Sequence, residues 1–402
     1  MINITGKYNT AKIYTDNIEG TAIEQITTLC NQEFTEGSKI RIMPDVHAGK
    51  GCTIGFTMTI TDKVCPNLVG VDIGCGMLTV KFNKDIDLQN LDDVIRNHVP
   101  FGREVHEGRK CRFELEQLKC FRNLRDSKRL ERSIGSLGGG NHFIEIDVDK
   151  GGDKYLIIHS GSRNLGHQVA TYYQNLAIEL CSGKDKMYEE QEEIIGIYKA
   201  EGRRAEIQEE IKKLRQRYAN MFPSLPEDLC YLTGKYKDDY LHDMKLCQEF
   251  ATLNRGVMSD IICEWLDIEP EWRFETIHNY INFYDNILRK GAISARSDEM
   301  LLIPMNMRDG CILGKGKSNK EWNYSAPHGA GRLMSRNQAK EALKLDEFRN
   351  SMNGIFTTSV GEDTLDEAPM AYKSMDEIIN NIGDSVEIID VIKPIYNFKA
   401  SI

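Results

Sequence analysis

The chain lacks any apolar run near the roughly 18 residues a membrane span requires, and its start, Met1-Ile-Asn-Ile-Thr-Gly-Lys-Tyr8, has no apolar signal-peptide core. This predicts a cytoplasmic protein with no membrane partner. The dense, even cysteine framework of a small secreted domain is also missing: eleven cysteines, an odd number, are scattered over 402 residues. In a reducing compartment most of them read as small core residues and a few as candidate ligands. No excess of positive charge is present either. Fifty-one Lys and Arg face 61 Asp and Glu for a net charge of -10, which excludes a surface that attracts polyanions everywhere but leaves room for one basic groove. Repeats, low-complexity tracts and Pro/Ser-rich linkers are absent too, so residues 1–402 are read as one compact unit with insertions.

What is present is an ordinary globular mixture, 41% hydrophobic and 28% charged. From 40 to about 80, short apolar runs alternate with glycines, the pattern of buried strands and tight turns. Helices are expected over 85–98 and 113–130. The second lies in a basic stretch in which Arg103, Arg109, Lys110, Arg112, Lys119, Arg122, Arg125, Lys128, Arg129 and Arg132 face only six acids between 102 and 132, either a solvated helix face or a phosphate-tracking surface. A strand, Tyr155-Leu-Ile-Ile-His159, precedes a helix near 166–182. Residues 186–218 are polar and helix-prone, with Glu209 and Lys213 spaced as an i,i+4 pair, and read as a protruding helical insertion. Tyr240 to Trp265 carries apolar residues at helical spacing. Strands follow around 277–283, 287–295 and 310–314, helices at 336–346 and 374–382, and a last strand from Val386. The irregular interleaving predicts an α+β fold with mixed sheets.

Five of the nine histidines, His47, His142, His159, His278 and His328, stand in loop-like surroundings at the ends of apolar runs, where a ring is presented to ligands. His98, His106, His167 and His242 read as surface or packing residues. In Val69-Gly-Val-Asp72-Ile-Gly-Cys75-Gly-Met77 a hard oxygen and a soft thiolate lie three residues apart on a Gly turn and can face one ion or two neighbouring ions. The segments Ser136-Leu-Gly-Gly-Gly-Asn-His142-Phe-Ile-Glu145 and Ile158-His159-Ser-Gly-Ser-Arg163, with His278-Asn279, add three imidazoles. The Asp, Cys and three His suit a borderline divalent metal such as manganese or zinc, and exceed what one tetrahedral ion needs. Two ions sharing the Cys would use the whole set, and paired metals serve phosphoryl and nucleotidyl transfer. The glycine run would let a phosphate or nucleotide approach the backbone. In Pro327-His328-Gly-Ala-Gly-Arg332-Leu-Met-Ser-Arg336, the arginines are spaced one helical turn apart as a fork for phosphate oxygens, making His328 a candidate nucleophile for a phosphoramidate intermediate.

Together with Met43-Pro-Asp45-Val-His47-Ala-Gly-Lys-Gly51 and Pro369-Met-Ala-Tyr372-Lys373, these segments resemble, in order and nearly to the last residue, the RtcB family of RNA ligases. The resemblance implies a single α+β domain with mixed sheets flanked by helices around a deep metal-binding cleft. It implies an enzyme that uses GTP and two Mn2+ ions to join RNA ends bearing a 2′,3′-cyclic phosphate or 3′-phosphate to 5′-hydroxyl ends, in RNA repair or tRNA splicing. Asp72, Cys75, His142, His159 and His278 would be the manganese ligands, with Cys75 bridging both ions. His328 would accept GMP, and Asp45 would help set up that step. The guanylate pocket would comprise Asn141, His142, Phe143, Ile144, Glu145, His278, Asn279, Pro304, Met305, Asn306, Met307, Cys311, His328, Gly329, Ala330, Gly331 and Lys399, with Glu145 at the guanine edge. Arg163, Arg332 and Arg336 would hold RNA phosphates, and an archease-type activator would be a partner.

Two departures stand out. Where many members read Pro-Gly-Ser-Met-Gly followed by serines, this chain has Pro304-Met-Asn-Met-Arg-Asp-Gly-Cys311, and the tail Phe398-Lys399-Ala-Ser-Ile402 does not end on Lys-Gly. The tail bears on the Lys399 assignment, while the changed wall at 304–311 is the one feature that lends weight to two other expectations: a Mn2+-dependent RNA 3′-end phosphatase or cyclic phosphodiesterase that ignores the nucleotide, and a non-catalytic RNA-binding accessory protein.

Overall fold

The computed structural model describes residues 1–221 and 225–400; Ser401 and Ile402 of the tail lie outside the described residues. The fold is α+β, and the described residues form one six-stranded, one seven-stranded and one two-stranded sheet. The seven-stranded sheet runs in the order Met300–Asn306, Gly310–Gly316, Val386–Lys399, Phe143–Val148, Lys154–Ser160, Gly76–Phe82, Trp272–Ile277, with antiparallel pairing throughout. Its long strand Val386–Lys399 pairs on one side with Gly310–Gly316 and on the other with Phe143–Val148. Pro394, which has no amide hydrogen to give the ladder, sits where the register slips between Pro394 and Tyr396. Side chains alternate as the pleat demands: Ile144 and Ile146 enter a core with Leu156, Ile158 and Phe398, while Glu145 and Asp147 take the opposite face.

The six-stranded sheet contains one parallel pair, Thr10–Ile13 with Ile40–His47, and is therefore mixed. The two-stranded sheet, Ala292–Ser294 with Ser325–Pro327, delivers the chain to His328. The 32-residue helix Gly234–Trp265 extends the predicted core helix toward its N-terminus. It buries polar groups as well as apolar ones: Asn254 and Arg255 are fully buried.

The expected helix over 113–130 is instead two 3-10 turns, Leu115–Gln117 and Phe121–Asn123, and a short α-helix, Ser127–Arg132. Buried Asp243 accepts the backbone N–H groups of Lys119 (2.7 Å) and Cys120 (3.0 Å), and this local alternative partner ends helical hydrogen bonding there. The basic residues of the segment are exposed apart from the half-buried Arg132. The polar stretch forms the helices Lys184–Ala200 and Ile207–Met221, with Lys213 lying 3.6 Å from Glu209. The expected helix at 336–346 is broken into Arg336–Ala342 and Leu345–Ser351. Among the described residues, no helix is long and apolar enough to cross a membrane.

Candidate active site

Four neighbouring strands of the seven-stranded sheet end at one edge, and each end carries a chemical group. Cys75 precedes Gly76–Phe82, His142 precedes Phe143–Val148, His159 closes Lys154–Ser160 and His278 follows Trp272–Ile277. Antiparallel register brings them together, because Met77 and Phe143 both pair with His159 and Gly76 pairs with Ile277. Cys75 Sγ lies 3.5 Å from His142 Nε2 and 3.3 Å from His159 Nε2, and His142 Nε2 lies 3.2 Å from Asp72 Oδ2. The donor atoms form two sets, Cys75/His159/His278 and Asp72/Cys75/His142, each within 4.8 Å, with Cys75 common to both.

The loop before His142 sets the imidazole tautomers. His142 Nδ1 donates to the Leu137 carbonyl (2.9 Å) and His159 Nδ1 to the Asn141 carbonyl (3.1 Å), so both Nε2 lone pairs point at Cys75. Gly138 is required by this packing: at φ +89° a Cβ would lie 1.8 Å from Arg163 and 2.8 Å from His142 Nδ1. The glycine at 138 thus serves close approach of side chains to its own backbone. Helix Gly234–Trp265 braces the arrangement. Asn254 accepts the N–H groups of Gly135 and Ser136 and donates to Ser160 Oγ and the Gly161 carbonyl. Arg255 donates to the carbonyls of Gly74 (2.9 Å) and Ser160 (2.7 Å) and pairs with Glu275.

The cluster fits a divalent cation. His278 Nδ1 is buried without a hydrogen-bond partner among the described residues. Burial pulls His159 and His278 far below the ordinary imidazole range, so both are neutral. Burial, then the Asp72 charge, pushes the Cys75 thiol well up, so its thiolate needs a cation beside it. A carboxylate, a thiol and three imidazoles, two of them locked in tautomer, match the chemistry of a borderline metal ion.

Beside the cluster opens a cavity of about 710 Å3, within the range of small-molecule sites. The His328 ring lies between them, 4.8 Å from His278, and faces the cavity. Fully buried Asp45 from strand Ile40–His47 accepts the His328 backbone N–H at 3.0 Å and Nδ1–H at 2.7 Å through one oxygen, Oδ2, which leaves Nε2 with its lone pair free. Gly331 permits this approach, since a Cβ there would sit 2.3 Å from the Asp45 carbonyl.

Of the residues expected in a nucleotide pocket, Asn141, Phe143, Glu145, Pro304, Met305, Asn306, Met307, His328, Gly329, Ala330, Gly331 and Lys399 line this cavity. Five others stand behind its wall. The Ile144 side chain is turned by the strand pleat into the opposite core, and Cys311 is fully buried behind Glu145. His142 and His278 belong to the metal cluster, and the Asn279 side chain is bonded to the Asp72 carbonyl (3.3 Å) and the Gly291 N–H (3.0 Å).

The arginines are arranged differently from the expected helical fork. Arg332 precedes the helix that Arg336 begins, and both reach the same buried carboxylate, Glu367, which also accepts from Lys399 and from the Tyr372 hydroxyl. Burial would raise Glu367, but Lys399 and Arg336 more than offset it and hold the carboxyl well below the usual range. Arg163 is directed inward, donating to Ser136 Oγ (3.1 Å) and the Gly102 carbonyl (3.0 Å). Sequence reasoning missed Glu367, which lies in an acidic run, and Asn397, which donates to Glu145 across a strand pair that local patterning does not reveal.

Comparison with known proteins places the chain in a family. The sequence profile of the family described as tRNA-splicing ligase RtcB matches residues 25–124 and 118–400. The RNA-splicing ligase RtcB of Escherichia coli strain K12 is 30% identical, with 95% of each chain covered. The tRNA-splicing ligases RtcB of Archaeoglobus fulgidus and Thermococcus kodakarensis are 25% and 24% identical, covering 90% and 86% of this chain and 87% and 83% of their own. A match spanning nearly the whole sequence, on a fold that gathers the metal-type ligands and His328 around one cavity, shows that this chain belongs to the RtcB family.

Proposed function

We propose that the protein is a GTP-dependent RNA ligase that joins RNA 3′-phosphate or 2′,3′-cyclic phosphate ends to 5′-hydroxyl ends through a GMP adduct on His328. The observation that carries this reading is the Asp45–His328 pair at 2.7 Å, set between a metal-type cluster and a nucleotide-sized cavity. Asp72, Cys75, His142, His159 and His278 would hold two manganese ions, which when bound supply Lewis-acid neutralisation of phosphate charge and activation of an attacking hydroxyl. Asp45 holds the Nδ1 proton and keeps the Nε2 lone pair available. In guanylylation, Nε2 attacks the α-phosphorus of GTP, the N–P bond forms and pyrophosphate leaves. An RNA 3′-phosphate oxygen then takes the GMP, breaking the N–P bond, and the 5′-hydroxyl displaces GMP to form the diester. A cyclic end is first opened by water.

Glu145 at the cavity wall is suited to accept the N–H groups of guanine, and the Lys399–Glu367–Arg336 network to fix the wall that a guanylate would meet. The arginines at 332 and 336, held by Glu367, support an RNA-phosphate role only through the donors that the carboxylate leaves free. Incubation with α-labelled GTP and Mn2+ followed by a denaturing gel should give a labelled protein that disappears in His328→Ala. Label persisting in that variant sinks the assignment. Removal of RNA 3′-phosphates with no labelled protein would instead indicate a nucleotide-independent phosphatase.

A further inference from the structure

Behind the cavity wall, Glu145 and Asp147 lie two residues apart on one face of strand Phe143–Val148, with Cys311 of Gly310–Gly316 beside them. Oxygens of both carboxyls and the Cys311 sulfur lie within 4.8 Å of one another, and Glu145, Asp147 and Cys311 are 2%, 0% and 0% exposed. The two acids are served unequally. Glu145 faces the cavity and accepts from Asn397 Nδ2 and, at 3.7 Å, from the Cys311 thiol. Both Asp147 oxygens are buried without a hydrogen-bond partner among the described residues.

Among the described residues, the groups packed around the pair supply no free cation. Lys399 is engaged with Glu367, and Lys393 donates to the Asp309 carbonyl at 3.0 Å. On the neighbouring strands, Tyr155 opposite Asp147 gives its hydroxyl to Asp149 at 2.8 Å, Ile157 stands opposite Glu145, and Pro394 flanks Asp147 on the other side. Two carboxylates this close in such surroundings do not both ionise, so the pair holds a proton. The donors converge on Glu145, which marks it as the ionised member, and Asp147, which no donor reaches, as the neutral one.

We propose that Asp147 is a positioning residue for nucleobase selection: as a neutral acid behind the wall it donates its proton toward Glu145 and keeps that carboxylate anionic and aimed at the cavity. The inference rests on the reading of the cavity as a GTP site. An anionic acceptor at this point suits guanine, whose ring N–H and exocyclic amine are adjacent donors, and leaves adenine's ring nitrogen facing a like lone pair. Burial raises both carboxyls above the ordinary range, in keeping with a proton retained at neutral pH.

The test compares wild type, Asp147→Asn and Asp147→Leu. The apparent KM for GTP in self-guanylylation should rise in wild type as pH falls and Glu145 takes up a second proton. Asn keeps a donor to Glu145 and should preserve this acid limb. Leu removes the donor, so the limb should move to higher pH by about one unit, roughly tenfold in KM on its slope, with weaker discrimination against ATP. A KM raised equally at every pH in the Leu variant, or Asn and Leu shifting alike, overturns the proposal in favour of simple packing. An infrared difference spectrum, wild type minus Asp147→Asn without nucleotide, should show the C=O stretch of a neutral carboxylic acid at neutral pH. Its absence overturns the proposal, as does a metal ion bound per chain that Cys311→Ser removes. Because this arm needs no GTP, a protein that shows the band but never labels would defeat the nucleotide reading alone.

Discussion

Replacing Asp45 by Asn perturbs the proposed nucleophile without touching the cavity. Asp45 is fully buried, and its Oδ2 accepts both hydrogen bonds from His328 while Oδ1 has no partner among the described residues. Asn fits the same volume. If its carbonyl oxygen keeps the two His328 donors, its amide occupies the orphaned position. The ring N–H then faces a neutral acceptor in place of an anion, forfeiting a charge-assisted bond worth about 1.5–3 kcal/mol. Because the bond strengthens as His328 loses electron density to phosphorus, most of that loss falls on the transition state. The expected fall in guanylylation rate is roughly 10- to 150-fold. Single-turnover labelling at saturating GTP and Mn2+ measures it, with the unfolding midpoint as control, which should fall modestly because the buried amide lacks an acceptor. Labelling within twofold of wild type would refute the role given to Asp45.

Other consequences follow from the same geometry. Gly138→Ala should weaken Mn2+ binding about 10- to 100-fold by calorimetry, since its Cβ would displace Arg163 and the His142 ring that Leu137 orients; unchanged affinity would contradict that packing. Arg255→Leu should cost about 3–5 kcal/mol in denaturant unfolding, because it strips Glu275 of a buried partner and frees the Gly74 and Ser160 carbonyls. Glu367 is held below its ordinary value of 4.5, so its contribution to stability is present above that pH and is lost as pH falls through the lower folded value. The stability gap between wild type and Glu367→Gln should therefore be constant above about pH 5.5 and close as the solution is acidified below about 4; a gap independent of pH refutes the ionised network.

Much of the candidate site was legible because its chemistry sits at strand ends with local marks. Cys75, His142, His159 and His278 each adjoin an apolar run, and antiparallel pairing needed only to align those ends. The pairing of Asp45 with His328, 283 residues away, has no local signature: the resemblance implied a role for Asp45 in the step, and only the fold brings the two side chains into contact. Residues that face inward against their type were hidden: Arg255 and Asn254 in a helix read as an apolar stripe, and Glu367 in an acidic run. The segment 113–130 carries helix-forming residues, yet Asp243 captures its backbone from another element, a competition no window of sequence contains. Arg332 and Arg336 have helical spacing, but the helix begins only at Arg336, and the two converge through Glu367 instead.

The central claim is end joining, and one measurement tests it most directly. An RNA with a 3′-phosphate, a second RNA with a 5′-hydroxyl, GTP and Mn2+ are incubated with the protein and resolved by length. The account predicts a joined product that requires GTP and is absent with His328→Ala. Inputs that stay unjoined, or lose their 3′-phosphate whether or not GTP is present, would contradict it.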